Sequence, residues 1–289
     1  MKKLLVALVL VLLGAGIVLA LDKAGVMPQN SPTPTPSNSI SPTPTVSVSV
    51  TPTPSVSPVA NITVTSPKSG ATVGNPITVT GKARVFENTF AYGLRDTSGR
   101  KLYENNAMTD ARDSSQFGNY TVKIPVPVNA PINVVVEVWE YSAKDGSVIN
   151  LVRVPVKLAT QQTMTVKTYF SKTSTTNTDC SVVESTNRTI IQSNEPAFSS
   201  IIELLKGLTT AEKQAGYITS IPENVRLNSL ILRGSTITAD FDETLQMGVG
   251  GSCRVTAIRA QITQTLRQFS SIKTVVISIN GKTTDILQP

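Results

Sequence analysis

The sequence predicts a multidomain chain in which an all-β sandwich is followed by an α+β domain. Three observations support this prediction. Short alternating runs broken by turn residues fill residues 61–158, helix and strand patterns interleave over residues 163–289, and a low-complexity segment separates both from an apolar N-terminus. Once that segment is subtracted, the 289-residue chain is still long enough for two hydrophobic cores.

The first 23 residues have the pattern of an export segment. Lys2 and Lys3 precede an uncharged apolar run over residues 4–21, which is near the lower length for crossing a bilayer and longer than the apolar core of a usual signal peptide. We therefore predict a membrane anchor over residues 1–23, with a single pass and the remaining chain outside the cell. The alternative is a cleaved signal peptide and a secreted protein, although the potential cleavage site carries Val18 where a smaller residue is preferred.

Residues 24–60 are predicted to be a disordered linker rich in proline, serine and threonine. From residue 31 to 58 the chain is almost entirely Ser, Thr, Pro and Val, with SPTPTP and TPTPS repeated. Such a segment has too little apolar surface to fold, and its prolines favour the extended polyproline II conformation. At ~3.1 Å per residue it would form a semi-rigid spacer of at most about 85 Å, a length that suits a tether through a cell wall.

Charge and composition argue against nucleic-acid binding and against common catalytic and metal sites. Before Asn61 there are three basic residues and one acidic residue. From Asn61 to Leu158 there are eleven basic and eight acidic residues, and beyond Leu158 there are twelve basic and ten acidic residues. No segment therefore carries a basic block. Histidine is absent, which removes the commonest general base, and two cysteines alone cannot complete a structural zinc site. We therefore predict no nucleic-acid partner, no metal and no cofactor.

The first folded module, residues 61–158, predicts seven short strands. These cover residues 62–65, 76–85, 89–96, 101–105, 120–125, 132–141 and 148–156. Turn signals such as Ser98-Gly99 separate several of them, a pattern typical of an immunoglobulin-like β-sandwich. The cysteine pair of antibody domains is missing, so we predict that Trp139 packs in the core without a disulfide beside it.

Longer stretches of this module resemble a known family. The sequence ITVTSPKSGATVGNPITVTGKARVFENTF, followed by WEYSAKDGS and VPVKL, is similar to the Gmad2 family, an immunoglobulin-like bacterial module often found beside germination-type domains. The resemblance covers residues 62–158 and is strongest in GKARVFE and SAKDGS. Apart from the resemblance, the local sequence SAKDGS predicts a hairpin turn in which Gly146 supplies a positive φ, and GKARVFE predicts a strand that bends after Phe86.

The second module, residues 163–289, predicts helices that cover a mixed sheet. Strands are predicted over residues 164–170, 181–191, 225–232, 235–240 and 274–279. One helix has Asn194 as its predicted N-cap and stops at Gly207, and Thr209 and Glu212 have the spacing of a capping box. A longer helix begins near Cys253. Its apolar stripe consists of Val255, Ile258, Ile262, Leu266 and Phe269, whereas Arg259, Gln261, Gln264, Arg267 and Gln268 fall mostly elsewhere.

This second module resembles the GerMN domain of sporulation and germination proteins. The matching features are VKTYFS, ELLKGL, GYITSIPENVRLNSL, ADFDETL and QITQTLRQFSSIKTVVISINGK, in that order over residues 164–288. The resemblance implies a role in envelope or peptidoglycan-associated complexes, including self-association through this domain.

Cys180 and Cys253 are the only cysteines, and we predict a structural disulfide between them. An exported chain with an even number of cysteines fits an oxidising compartment. The alternative is a reactive thiol at Cys253, because a helix N-terminus lowers the pKa of a thiol. The glycine loop before Cys253, which contains Gly248, Gly250 and Gly251, is predicted to turn the backbone toward Cys180. An anion site made of its N–H groups is the alternative.

Asp240, Asp242 and Glu243 form the best acidic cluster in the sequence. On a strand, Asp240 and Asp242 would point to the same side, which would suit a general acid and base or a calcium site. Glycosidase chemistry, however, needs carboxylates across a cleft, and the spacing of an EF-hand loop is absent. We therefore predict that the cluster is a charged strand exit that caps the following turn, and that the chain has no catalytic, cofactor-binding or metal-binding residues.

Together these features predict a non-catalytic, membrane-tethered extracellular envelope protein that binds or assembles. The expected partners are envelope proteins, peptidoglycan, the membrane through the N-terminal segment, and further copies of the chain. Two alternatives from other classes are a cell-wall glycan hydrolase that uses Asp240 and Asp242, and a glycan-binding module displayed on a stalk.

Overall fold

The structure is a computed structural model that describes residues 60–176 and 179–288. The predicted anchor at residues 1–23 and the predicted linker up to residue 59 lie outside the described residues. None of the helices in residues 60–176 and 179–288 combines the length and the apolar composition that a membrane-spanning helix requires.

The first module is a β-sandwich of two sheets. Its strands are β1 (Ile62–Ser66), β2 (Thr72–Val73), β3 (Ile77–Ala83), β4 (Thr89–Asp96), β5 (Lys101–Met108), β6 (Gly118–Ile124), β7 (Asn133–Tyr141) and β8 (Val148–Leu158). One sheet has the order β1-β3-β6 and the other the order β2-β8-β7-β4-β5. All seven predicted strands are confirmed. The additional strand β2 has two residues, paired in parallel with β8, and is too short to show an alternating pattern.

The core of this module lies between the two sheets, because alternate residues of each strand point inward. Strand β3 shows the alternation most clearly, with Ile77, Val79 and Ala83 buried. Gly81 occupies the remaining inward position. A Cβ atom there would lie 2.0 Å from the carbonyl oxygen of Thr63 and 2.4 Å from the Tyr120 hydroxyl, so only glycine fits between β1 and β6.

Trp139 is buried, as predicted, but it does not pack between the two sheets of the sandwich. The core receives Val134, Val136 and Val138 from β7, and the strand alternation turns Trp139 to the opposite face of the five-stranded sheet. There the guanidinium carbon of Arg95 lies 5.7 Å from the tryptophan ring centroid. The outward side chains of neighbouring strands therefore bury the indole.

The second module contains two three-stranded sheets and two helices of more than two turns. Its elements are β9 (Thr163–Lys172), α1 (Thr173–Thr176), β10 (Glu184–Ile191), α2 (Pro196–Leu205), α3 (Thr210–Gln214), β11 (Tyr217–Ile218), β12 (Leu227–Arg233), β13 (Thr236–Phe241), α4 (Ser252–Arg267) and β14 (Thr274–Ile279). The sheet β10-β9-β11 is antiparallel, and in β12-β13-β14 the pair β13–β14 is parallel. The α+β class is therefore confirmed, with two sheets where one mixed sheet was predicted.

Helix α4 packs its apolar stripe into the core of the second module. Val255, Ile258, Ile262 and Leu266 are buried, as predicted, and Phe269 packs against the same core from just beyond the helix end. Gln261 was predicted to lie off this stripe but is completely buried. Its side chain accepts a hydrogen bond from Thr219 Oγ1 at 2.9 Å and donates one to Ser171 Oγ at 3.3 Å. These two bonds, to residues outside α4, allow the amide to be buried.

The ends of the two shorter helices follow the sequence signals in part. The capping box of α3 is confirmed, since Thr209 accepts from the backbone N–H of Glu212 and Glu212 accepts from that of Thr209. The prediction of Asn194 as the N-cap of α2 is wrong. The N-cap is Glu195, and Pro196 begins the helix without a side-chain cap.

Candidate functional site: the cleft between the modules

The two modules are joined by a polar clamp centred on Asn75, which is 5 % exposed. Its side-chain Nδ2 donates to the carbonyl oxygen of Ile191 at 2.8 Å, and its Oδ1 accepts from the Val126 backbone N–H at 3.0 Å. Its carbonyl oxygen also accepts from the Ser193 hydroxyl at 2.9 Å. One asparagine therefore links both modules through its side chain and its backbone.

Hydrophobic and charged contacts reinforce this clamp. Ile191, at the end of β10, is buried within the core of the first module. The ammonium group of Lys123 forms an ion pair with Glu195 and lies 5.8 Å from the ring centroid of Phe198 in α2. Both modules belong to one compact unit, so their relative position is fixed by packing as well as by the connector at residues 159–162.

Replacing Asn75 with alanine is expected to lower the free energy of unfolding by about 1–3 kcal/mol, because the buried backbone groups of Ile191 and Val126 would lose their partners. Urea unfolding measures this loss. Limited trypsin digestion should also cut faster at Lys157, beside the connector. The matched control is Asn129→Ala, which removes an exposed asparagine of the same module. Unchanged cleavage at Lys157 in the Asn75 variant would show that the clamp does not hold the modules together.

A cleft of about 650 Å³ opens beside the clamp. One wall is residues 101–106 of β5, with residues 125–127 next to it, and the opposite wall is the face of α2 from Ser199 to Lys206 together with residues 224–227. Clefts between domains are common places for ligands. The sequence did not reveal this site, because its walls come from segments about a hundred residues apart.

The charged side chains of the cleft are held in ion pairs. Glu104 pairs with Arg95 at 3.4 Å and with Lys101 at 3.8 Å. Across the cleft, Glu203 pairs with Lys206 at 2.5 Å and lies 3.9 Å from Arg188. Each carboxylate is therefore shared by two cations.

Two tyrosines lie at this wall, Tyr103 on β5 itself and Tyr92 on the neighbouring strand β4. Burial raises the pKa of Tyr92 and of Tyr103 above the ordinary value, against the opposing effects of Asn105 and of the positive charge of Arg226. Both phenols are therefore protonated at neutral pH and act as hydrogen-bonding groups. Arg226 belongs to the second module, so its charge reaches across the cleft to the first.

Asp240 and Asp242, the predicted acidic cluster, have structural partners. Asp240 Oδ1 accepts from the Ser278 hydroxyl at 2.6 Å and from the Gly281 N–H at 2.7 Å, which ties β13 to the turn after β14. Asp242 Oδ1 accepts from the Arg226 N–H at 3.0 Å, and its Oδ2 lies 3.5 Å from Arg226 Nε. The geometry agrees with a capped strand exit. Asp242 also positions Arg226 beside the cleft.

The structure joins Cys180 and Cys253 in a disulfide, with their Cα atoms 5.2 Å apart. The alternative of a reactive thiol at Cys253 is therefore wrong for this structure. In the glycine loop, Gly248 and Gly251 have φ values of 62° and 84°, which suits a tight turn before α4. The carbonyl of Gly248 accepts from Arg254 Nη1 at 2.8 Å.

No group of three or more histidine, cysteine, aspartate or glutamate side chains in residues 60–176 and 179–288 has the arrangement of a metal site. Another charged cluster lies on the outward face of the five-stranded sheet, where Glu137 is bound by Arg95 Nε at 2.5 Å and by Arg153 Nε at 2.9 Å. The alternating pattern of β7 could have predicted that Glu137 lies on this face. It could not have predicted the two arginines that bind Glu137, because they lie on β4 and β8.

Comparisons with known proteins identify both modules. Residues 61–147 match the model of the Gmad2 family, described as the immunoglobulin-like domain of bacterial spore germination, and residues 167–285 match the Germane family, described as sporulation and spore germination. No curated protein sequence matches the chain significantly.

Two of the solved structures with similarity to this chain come from a sporulation protein. The tandem GerMN domains of the sporulation protein GerM from Bacillus subtilis are 22% identical with a TM-score of 0.36, over 44% of this chain and 43% of that chain. The first GerMN domain of the same protein is 21% identical with a TM-score of 0.34, over 42% of this chain and 85% of that chain. This chain therefore covers less than half of the tandem structure. The chain therefore contains a region that matches the Gmad2 family, residues 61–147, followed by a region that matches the Germane family of sporulation and spore germination, residues 167–285.

Proposed function

We propose that the chain is a non-catalytic envelope protein that binds or assembles with other envelope proteins, held outside the membrane by residues 1–23 and the linker at residues 24–60. The observation that carries this proposal is the cleft built jointly by both modules and stabilised by the Asn75 clamp. A fixed cleft between two small domains offers a preorganised surface, which reduces the entropic cost of binding. The two family matches, both to domains of spore germination or sporulation, agree with a role of this type.

The hydrolase alternative has little support in the geometry. Asp240 and Asp242 accept hydrogen bonds from protein groups, and neither carboxylate lines the cleft between the modules. A glycan hydrolase needs two carboxylates that face one substrate across several ångströms. In the cleft, Glu104 and Glu203 are each bound by two cations, so neither is arranged as a proton donor.

A photo-crosslinking experiment in intact cells tests the proposed function. A photoreactive amino acid replaces Lys101, which is exposed on the cleft wall, and the full chain is expressed in its own host. We expect one specific envelope protein to be crosslinked. The control position is Lys144, which is exposed on the β7–β8 hairpin and should give no such product.

Purified cell-wall sacculi supply the second arm of this test. We expect no release of soluble glycan by the chain. Release that disappears in an Asp240→Ala, Asp242→Ala double variant would overturn the non-catalytic proposal. Sedimentation with sacculi without release, inhibited by soluble glycan, would instead support the glycan-binding alternative.

A further inference from the structure

Among the residues that the structure describes, strand β5 is the edge of the five-stranded sheet, and the side of it that has no ladder partner forms a wall of the cleft. The sheet order ends at β5, whose ladder partner is β4. Six consecutive residues of β5, 101–106, line the cleft. Because successive side chains of a strand point to opposite faces, a continuous lining of this kind means that the edge of the strand faces the cleft.

Backbone hydrogen bonds identify which groups of β5 point outward. Thr109, just beyond the strand, donates its N–H to the carbonyl of Asn88 at 2.9 Å. In an antiparallel ladder the bonded pairs alternate, so the N–H and C=O groups of Glu104 and Asn106 point away from β4. In agreement, the N–H of Asn106 donates to the side chain of Asn105 at 2.9 Å.

The opposite wall of the cleft is helix α2. It presents the half-buried apolar side chains of Ile202 and Leu205 to the cleft, one turn apart. A groove between an edge strand and a helix is suited to an extended peptide, which pairs with the strand through its backbone and directs alternate side chains to the helix.

The exposed charges of the groove are positive. The side chains of Lys101, Lys206 and Arg226 are 59%, 54% and 45% exposed. The two carboxylates of the groove are less accessible, with Glu104 at 28% and Glu203 at 14%, and each is shared by two cations. An incoming ligand therefore meets cationic groups first, and the complementary ligand is acidic.

We propose that the cleft binds an acidic, extended peptide segment of a partner protein, which adds as a strand to the free edge of β5 against helix α2. This inference rests on the proposed binding function and names the class of partner. The peptide backbone would pair with the outward groups of Glu104 and Asn106, and at the Asn106 N–H it would displace the side-chain oxygen of Asn105. Its apolar side chains would contact Ile202 and Leu205, and its carboxylates would lie near Lys101, Lys206 and Arg226.

A random peptide library displayed on phage, selected against the full chain, tests this proposal. We expect the enriched peptides to be acidic, to lack proline in the paired stretch and to alternate apolar with polar residues. Their binding should weaken by about tenfold or more for Asn106→Pro, which removes an outward N–H, and stay within about twofold for Asn106→Ala, which retains it. Proline is tolerated on an edge strand where the N–H faces away from the ladder, and circular dichroism checks that the variant is folded.

Two further measurements separate strand addition from other modes of binding. Bound peptide should slow amide hydrogen exchange at Glu104 and Asn106, and a Lys101→Glu, Lys206→Glu double variant should bind the same peptides at least about tenfold more weakly. Enriched peptides that bind the Asn106→Pro and Asn106→Ala variants equally would overturn the proposal, as would selection that yields no acidic peptide. If selection fails while the Lys101 photo-crosslink to an envelope protein persists, the strand-addition inference is wrong and the proposed function stands. If the crosslink is also absent, both fail.

Discussion

Replacing Arg188 with methionine is expected to lower the free energy of unfolding by about 3–5 kcal/mol, the largest effect of any single substitution considered for this chain. Arg188 lies on β10 and is 9 % exposed. Its Nε donates to Glu212 Oε1 at 3.0 Å and its Nη2 donates to Glu212 Oε2 at 2.5 Å, so the guanidinium and the carboxylate form a bidentate ion pair. Nη2 also donates to the Gly207 carbonyl at 2.8 Å. Removing the arginine would leave a carboxylate buried without its cation.

Matched variants distinguish this mechanism from a general loss of charge. Lys206→Met removes a lysine whose side chain is 54% exposed, so its ion pair with Glu203 should contribute only about 0–1 kcal/mol. An Arg188→Met, Glu212→Leu double variant should recover part of the stability, because neither charge is then buried alone. Urea unfolding of the full chain measures all three. A loss below about 1 kcal/mol for Arg188→Met would contradict the prediction.

The same pair should make stability depend on pH. Burial raises the pKa of Glu212, but hydrogen bonds from Thr186 and Thr209 and the charge of Arg188 outweigh burial, so the net pKa is lowered. The pKa of an unfolded glutamate is about 4.3, so this contribution is fully present above that pH and is lost as the pH falls through the lower folded pKa.

Several aspartates with lowered pKa values also contribute to acid sensitivity, so a single curve cannot isolate Glu212. They are Asp96, Asp110, Asp113, Asp145 and Asp179. The measurement is therefore the difference in the free energy of unfolding between wild type and Glu212→Gln, determined from pH 6 to pH 3. We expect wild type to lose stability more steeply than the variant. Parallel curves would mean that the Glu212 pKa is not lowered by folding.

Replacing Cys180 with serine is expected to lower the free energy of unfolding by about 2–4 kcal/mol under oxidising conditions. The disulfide joins residues separated by 73 positions, and breaking it returns the entropy of a long loop to the unfolded chain. The bridge also connects the loop before β10 to the start of α4, so both ends of the loop belong to the second module.

Three controls make this prediction specific. Cys253→Ser and the double serine variant should be as unstable as Cys180→Ser, because each lacks the same bond. Wild type in the presence of a reductant should approach the same stability. Mass analysis of natively exported protein should find no free thiols. Unchanged melting of Cys180→Ser in oxidising buffer would contradict a stabilising role for the bridge.

Several features of this fold follow from local sequence alone. Strand alternation and turn residues predicted the seven main strands of the sandwich, and Gly146 adopts the positive φ of 71° that its hairpin turn requires. The three- and four-residue spacing of apolar residues predicted the buried face of α4. With only two cysteines present, one intramolecular pairing was available. The residues that determine the strands, the turn and the helix face each lie within one element, and the two cysteines can form only one intramolecular pair.

The tertiary structure decided the features that depend on distant residues. Asn75 reads as an ordinary loop residue, and it becomes a clamp only because Ile191, 116 positions away, lies beside it. Gln261 is buried because Thr219 and Ser171 satisfy its amide. Trp139 faces outward because the second sheet packs on the face of β7 that carries Val134, Val136 and Val138. Local periodicity reports which face of an element is apolar, whereas the partners of a buried polar group and the walls of a cleft are set by how separate elements pack. For this reason the sequence determined the two modules and their order, and only their packing determined the site between them.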